Sequence, residues 1–166
     1  MKRIALFLLV GLLLPLAAFA QQKIGIVNTQ EIIASMPDVK TAEGRIQELD
    51  KKYSAELQTM QDEYQRKAEA YIKEQPKLSE AISKSRQQEL VDLQNRIQQS
   101  AQAMQQDMER QQQTLMAPIQ QKVLDAIKKV GDENGFAYIC ESGVMLYTGS
   151  SAQNITAQVK AKLGLK

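Results

Sequence analysis

No histidine and no tryptophan occur in the 166 residues, and there is one cysteine, Cys140. Without imidazole and with a single thiol, the common metal-ligand sets and the usual pairings of nucleophile and general base cannot be assembled. Aromatic residues make up 5% of the chain, too few for a large conventional core. The glycines number 8 and are scattered, among them Gly25, Gly131, Gly135, Gly143 and Gly149, so no phosphate-cradling loop is present. Carboxylates are plentiful, but they interleave with Lys and Arg as on a solvated helix face. These absences exclude an ordinary enzyme and call for no cofactor or metal.

The first 20 residues follow their own rules. Lys2 and Arg3 precede the apolar run IALFLLVGLLL, then come Pro15 and the small residues ending in Ala18 and Ala20. This charged, apolar, small-residue order is that of a secretory signal with an Ala-x-Ala cleavage site. An uncleaved anchor is the alternative, but the run is shorter than the roughly 20 residues that span a bilayer. No cysteine stands near position 21 to carry a lipid. The sequence therefore predicts an exported protein whose mature chain begins near Gln21.

Removing that segment leaves 19 basic against 19 acidic residues. A nucleic-acid footprint needs a net basic face, and none is indicated. Cys140 can pair between chains in an oxidising compartment, but beside Tyr138 and Ile139 it reads as a small buried hydrophobe.

Residues 23 to 28, KIGIVN, read as a short strand with Ile24 and Ile26 on one face and Val27 on the other. TQEIIAS gives a turn or two of helix. Ser35 as N-cap, Pro37 in the first turn and Asp38 then open a long helix. Its apolar positions Val39, Ala42, Ile46, Leu49, Tyr53, Leu57, Met60, Tyr64, Ala68 and Tyr71 are spaced three and four apart, a single narrow stripe. Pro76 ends it. A second stripe follows: Leu78, Ile82, Leu90, Leu93, Ile97, Ala101, Met104, Met108, Leu115, Ile119, Val123, Ala126 and Val130, with gaps at Arg86 and Gln112.

Two such helices should zip together as an antiparallel hairpin, because neither seam is stable alone. With the tip at Pro76, partner numbers add to about 152, so Tyr71 faces Ala81, Met60 faces Leu93, Leu49 faces Ala103 and Val39 faces Gln113. About 37 residues of helix make a prong roughly 55 Å long. Beyond Gln113 the second helix has no partner left, and its composition turns aliphatic in LMAPIQQKVLDAIKKV. That part must pack on a body.

The body comes from both chain ends. Asn134 and Gly135 stop the helix, FAYIC and VMLYT read as strands around the turn ESG, and Asn154 or Thr156 caps a last helix bearing Ile155, Val159 and Leu163. Asn154-Ile155-Thr156 also matches a glycosylation acceptor, a weaker reading than a helix start. The predicted body core is Ile24, Ile26, Val27, Ile139, Val144, Leu146, Ile155 and Val159. Such a small sheet is hard to stabilise alone, and oligomerisation solves that by letting strands of several copies close a barrel-like body. The resulting division is a signal peptide over 1–20, body over 21–36, hairpin over 37–114 with its tip near 76, and body again over 115–166. Pro37 and Pro118 fall where the prong leaves the body, and Pro118 should kink its helix into a hinge.

KIGIVNTQEII near the mature start, LMAPIQQKVLDAIKKV followed by ENGFAYICESGVMLY, and the closing NITAQVKAKLG together resemble the Skp/OmpH family of periplasmic chaperones, over Lys23 to Leu163. The resemblance implies an α+β homotrimer with a small β-barrel body and three helical tentacles around a cavity. It also implies an ATP-independent holdase in the periplasm that keeps unfolded outer-membrane β-barrel proteins soluble and passes them to the assembly machinery. Many weak contacts on the tentacle surface suit that task, and the residues singled out are Met60, Tyr64, Tyr71, Met104 and Met108, flexible or aromatic groups for clients of no fixed shape. The spacing of Met60, Met104 and Met108 equally suits plain filling of the seam. Family members with strongly basic tentacles bind acidic clients and lipopolysaccharide, whereas residues 38 to 131 here hold 15 basic and 15 acidic side chains. No lipopolysaccharide site is therefore assigned. The competing reading is a periplasmic coiled-coil scaffold or spacer that bridges an envelope complex.

Overall fold

The structure, a computed structural model, describes residues 22–165, and the signal segment expected over 1–20 lies outside them. Strand β1, Lys23–Val27, is the middle of a three-stranded sheet. Helix α1, Thr29–Ser35, follows at once, with the Asn28 side chain accepting from the Glu31 amide at 2.9 Å. Helix α2 then runs Pro37–Glu74, and after a turn over residues 75–79 helix α3 runs back over Glu80–Asn134. Strand β2, Phe136–Glu141, strand β3, Ala152–Asn154, and helix α4, Thr156–Lys162, complete the chain.

Both neighbours of β1 are parallel to it: Gly25 pairs with Ile139 on one side and with Gln153 on the other. The crossover from β1 to β2 is the whole hairpin, and residues 142–151 carry the chain to the far edge of the sheet. There the Ile155 amide donates to the Ile26 carbonyl at 2.8 Å. Ile155 and Val159 are fully buried.

The core sits at the hairpin's base. Val27 of β1, Ile32 of α1, the cap residue Met36, Val39 and Ala42 of α2, Ile119, Val123, Ala126 and Val130 of α3, and Ile155 and Val159 form one cluster. Gly135 ends α3 in the left-handed region at φ 66°, as its sequence position predicts. The chain turns there straight into β2.

Four expectations need correcting. Ser35 does not cap α2; it closes α1, its Oγ donating to the Glu31 carbonyl at 2.6 Å, and the cap position falls to Met36, which the core buries. The strand expected over Val144–Thr148 does not form. Ser142–Val144 makes one 3-10 turn, and the third strand is Ala152–Asn154, pinned beside β1 by burial of Ile155. The formal cap of α4 is Ile155, with the Asn154 side chain accepting from the Thr156 amide at 2.9 Å.

The hairpin pairing is offset as well. Partner numbers add to 160 at Tyr53 and Asp107 and to 156 at Lys67 and Glu89; the turn over residues 75–79 is centred past Pro76, which moves the sums in this direction. Asp38 accordingly pairs with Lys122, so α3 keeps a partner well past Gln113. The hairpin expected over 37–114 thus shares its base, Val39 and Ala42, with the body core. Pro37 is the first residue of α2, and Pro118 lies inside α3, which continues through it.

Candidate functional site

The hairpin offers two kinds of surface, a seam and two outer faces. All ten apolar stripe positions of α2 are buried or half-buried, from Val39 to Tyr71. On α3 the stripe is followed except at Ile82, which is half exposed at the tip. Burial is uneven along its length. In α2 the fully buried positions are Val39, Ala42 and Tyr71, and in α3 none lies between Leu93 and Ile119.

Polar links reinforce both ends. At the tip the Tyr71 hydroxyl lies 2.9 Å from the Ser83 hydroxyl and accepts from Gln87 Nε2 at 2.7 Å. Arg86 bonds Glu74 at 2.6 Å, and Lys67 pairs with Glu89. At the base Lys122 pairs with Asp38. Midway, Tyr53 donates its hydroxyl to Asp107 Oδ2 at 2.6 Å, while Arg110 holds the other carboxylate oxygen from one turn along. That hydrogen bond keeps the Asp107 carboxyl below the usual carboxylate range, Arg110 adding to it against desolvation. It also pushes the Tyr53 hydroxyl up.

Met60, Tyr64, Met104 and Met108 lie half-buried in the seam, and Tyr71 is buried with its hydroxyl committed. The outer faces are Gln-rich and charged. An open groove of about 850 Å³ along α3 near the tip brings Lys67, Lys84 and Arg96 together with Glu63, Glu89 and Asp92. Three cations facing three carboxylates leave no sink for an anion.

In the body, Val27, Ile155 and Val159 are buried in the core cluster and Ile139 packs against it, while Ile26 is buried outside that cluster. Ile24 is 37% exposed, Val144 74% and Leu146 fully so. Tyr138, Met145 and Tyr147 are exposed too and were not singled out from sequence. The signal was present: VMLY is a run of four apolar residues without the alternation that gives a half-buried strand one polar face. Ile24 and Tyr138 are cross-strand partners, so they share one face of the sheet. The opposite face, with Gly25 and Ile139, meets the helices. Cys140 is half-buried and free, opposite Ile26.

Among the described residues no group of His, Cys, Asp or Glu converges to hold a metal, and no helix is long and apolar enough to cross a membrane.

Comparison with known proteins agrees with this geometry. The sequence profile of the family described as outer membrane protein (OmpH-like) matches residues 23–163. The crystal structure of a candidate OmpH-like outer membrane chaperone from Caulobacter crescentus superposes with a TM-score of 0.75 at 17% identity, over 87% of this chain and 85% of that one. Among curated proteins no match is found. The match runs from the first strand to the last helix and takes in sheet, hairpin and body together; the chain belongs to the OmpH-like family of outer membrane proteins.

Proposed function

We propose that the protein is an ATP-independent holdase of the periplasm, exported by a cleaved signal over residues 1–20, that binds unfolded outer-membrane β-barrel proteins between its hairpins and prevents their aggregation. The observation that carries this reading is a long hairpin whose core is confined to its base, leaving most of its length to touch something other than itself. Unfolded membrane strands expose apolar side chains and unpaired edges. A long, charge-balanced wall offers them many weak contacts, so a client is held by their number and can still leave. Met60, Tyr64, Tyr71, Met104 and Met108 are the side chains we assign to that contact.

The working unit is a homotrimer. Parallel sheets are normally covered on both faces, and here one face shows Ile24 and Tyr138 while residues 144–147 stand uncovered beside it. Copies of the same chain, closing these strands into a barrel, would cover both. No lipopolysaccharide site and no cofactor is part of this reading.

The test is light scattering of a denatured outer-membrane β-barrel protein diluted into buffer with and without the mature protein, followed by sizing. Suppressed scattering with a soluble complex of one trimer and one client is the expected result. Unchanged scattering with a folded, oligomeric protein would overturn it and favour a scaffold that bridges an envelope complex.

A further inference from the structure

The middle of the hairpin has no exposed large hydrophobic side chain among the described residues. Those on the hairpin are Ile72, Ile82 and Val91 towards the tip and Leu124 at the base. Over residues 43–70 and 94–118 the large apolar groups, such as Leu57, Met60, Ile97, Met104 and Met108, are all half-buried. An unfolded chain with apolar side chains to cover therefore finds one apolar surface along this stretch, and the two helices share it.

They hold it loosely. No residue between Ala42 and Tyr71 in α2, or between Leu93 and Ile119 in α3, is fully buried. Between the ion pairs Lys67 with Glu89 and Asp38 with Lys122, the one direct polar link across the helices among the described residues is Tyr53 to Asp107. A segment with few buried contacts, anchored at both ends, opens locally at lower cost than its flanks. Its methionines adapt to whatever enters.

We propose that the middle of the seam, residues 49–64 against 97–111, opens into a groove that takes apolar side chains of an unfolded polypeptide, with the Tyr53–Asp107 hydrogen bond as its latch. The proposal rests on the holdase reading. It makes the stripe that closes the free hairpin the same surface that receives the client.

Peroxide oxidation of Met60, Met104 and Met108 in the mature protein tests it, because thioether oxidation follows exposure. Met36, buried in the core, serves as the internal control. Tyr53→Phe keeps the ring and removes the donor; seam oxidation should rise several-fold over wild type with Met36 unchanged. Asp107→Asn keeps an acceptor and should raise it less. A denatured outer-membrane β-barrel protein bound to wild type should slow it. If wild type suppresses client aggregation but the seam methionines react equally in all three proteins, or equally with and without client, the latch and groove are wrong and the holdase reading stands. If wild type does not suppress aggregation, the holdase reading fails and this inference with it.

Discussion

Gly25 and Ile139 face each other across two parallel strands with no room for a side chain between them: a Cβ on Gly25 would lie 3.1 Å from Ile139 Cγ1, 3.3 Å from Phe136 Cδ1 and 3.5 Å from Ile155 Cδ1. Ile139 and Phe136 would both have to give by a few tenths of an ångström while Ile155 stays in ordinary contact, so Gly25→Ala should cost about 1–3 kcal/mol, as overpacked cores do. Gly131→Ala meets one flexible end, Ile139 Cδ1 at 3.0 Å, and gains roughly 1 kcal/mol of helix propensity in return. The second variant should be near neutral. Thermal melts of the pair, read by far-UV circular dichroism, check the ordering.

The uncovered residues of the body call for a different assay. Leu146 is fully exposed in the single chain, so, if the proposed trimer is formed through this segment, Leu146→Asp should leave subunit helicity intact while dissociating it. Sedimentation at several protein concentrations reads this directly. An undiminished trimer would show that the 144–147 segment is not part of the subunit contact.

Pro118 has no amide proton to give to the preceding turn, yet α3 runs through it. Pro118→Ala restores that donor and should stiffen the hairpin's base, narrowing the spread of tip positions measured between spin labels and the range of client sizes held. If neither narrows, the base is not a hinge.

The mid-hairpin hydrogen bond carries its own pH dependence. Asp107 titrates lower when folded, so its contribution is complete above its unfolded pKa and is lost as pH falls through the folded one. Tyr53 titrates higher when folded, so its share is lost only as pH rises beyond the usual phenol range. The difference in melting temperature between wild type and Tyr53→Phe should be flat from about pH 5 to pH 9 and shrink below about pH 4. A difference that grows on acidification would contradict the assignment.

The two long helices were legible because three-and-four spacing is a local signal, and Pro76 and Gly135 punctuate it by their own backbone chemistry. The offset in pairing was not, since it depends on how many residues the tip consumes, and Gln75–Lys77 curls into a 3-10 turn before Leu78 and Ser79 extend. Ser35 failed as a cap for a similar reason: burial of Met36, a tertiary effect, moved the helix start by one residue. VMLYT looked like a strand by composition, but pairing needs a neighbour, and within one chain that place beside β1 goes to Ala152–Asn154. Of the candidate binding residues, the seam positions were readable from periodicity. Which of them are only half-buried was not, because that depends on the mate across the seam.

Both strands that flank β1 come from beyond residue 135, so the middle of the sheet is made first and its neighbours last. As the chain is synthesised from its N-terminus, the hairpin has its full length available to zip while KIGIV still waits, unpaired, for residues more than a hundred positions away. Closure of the body is then the slow, late step, as contacts between distant residues usually are. Chains cut short before Asn154 should accumulate as helical hairpins without a base, and a lesion in the last thirty or so residues should remove the body as a unit.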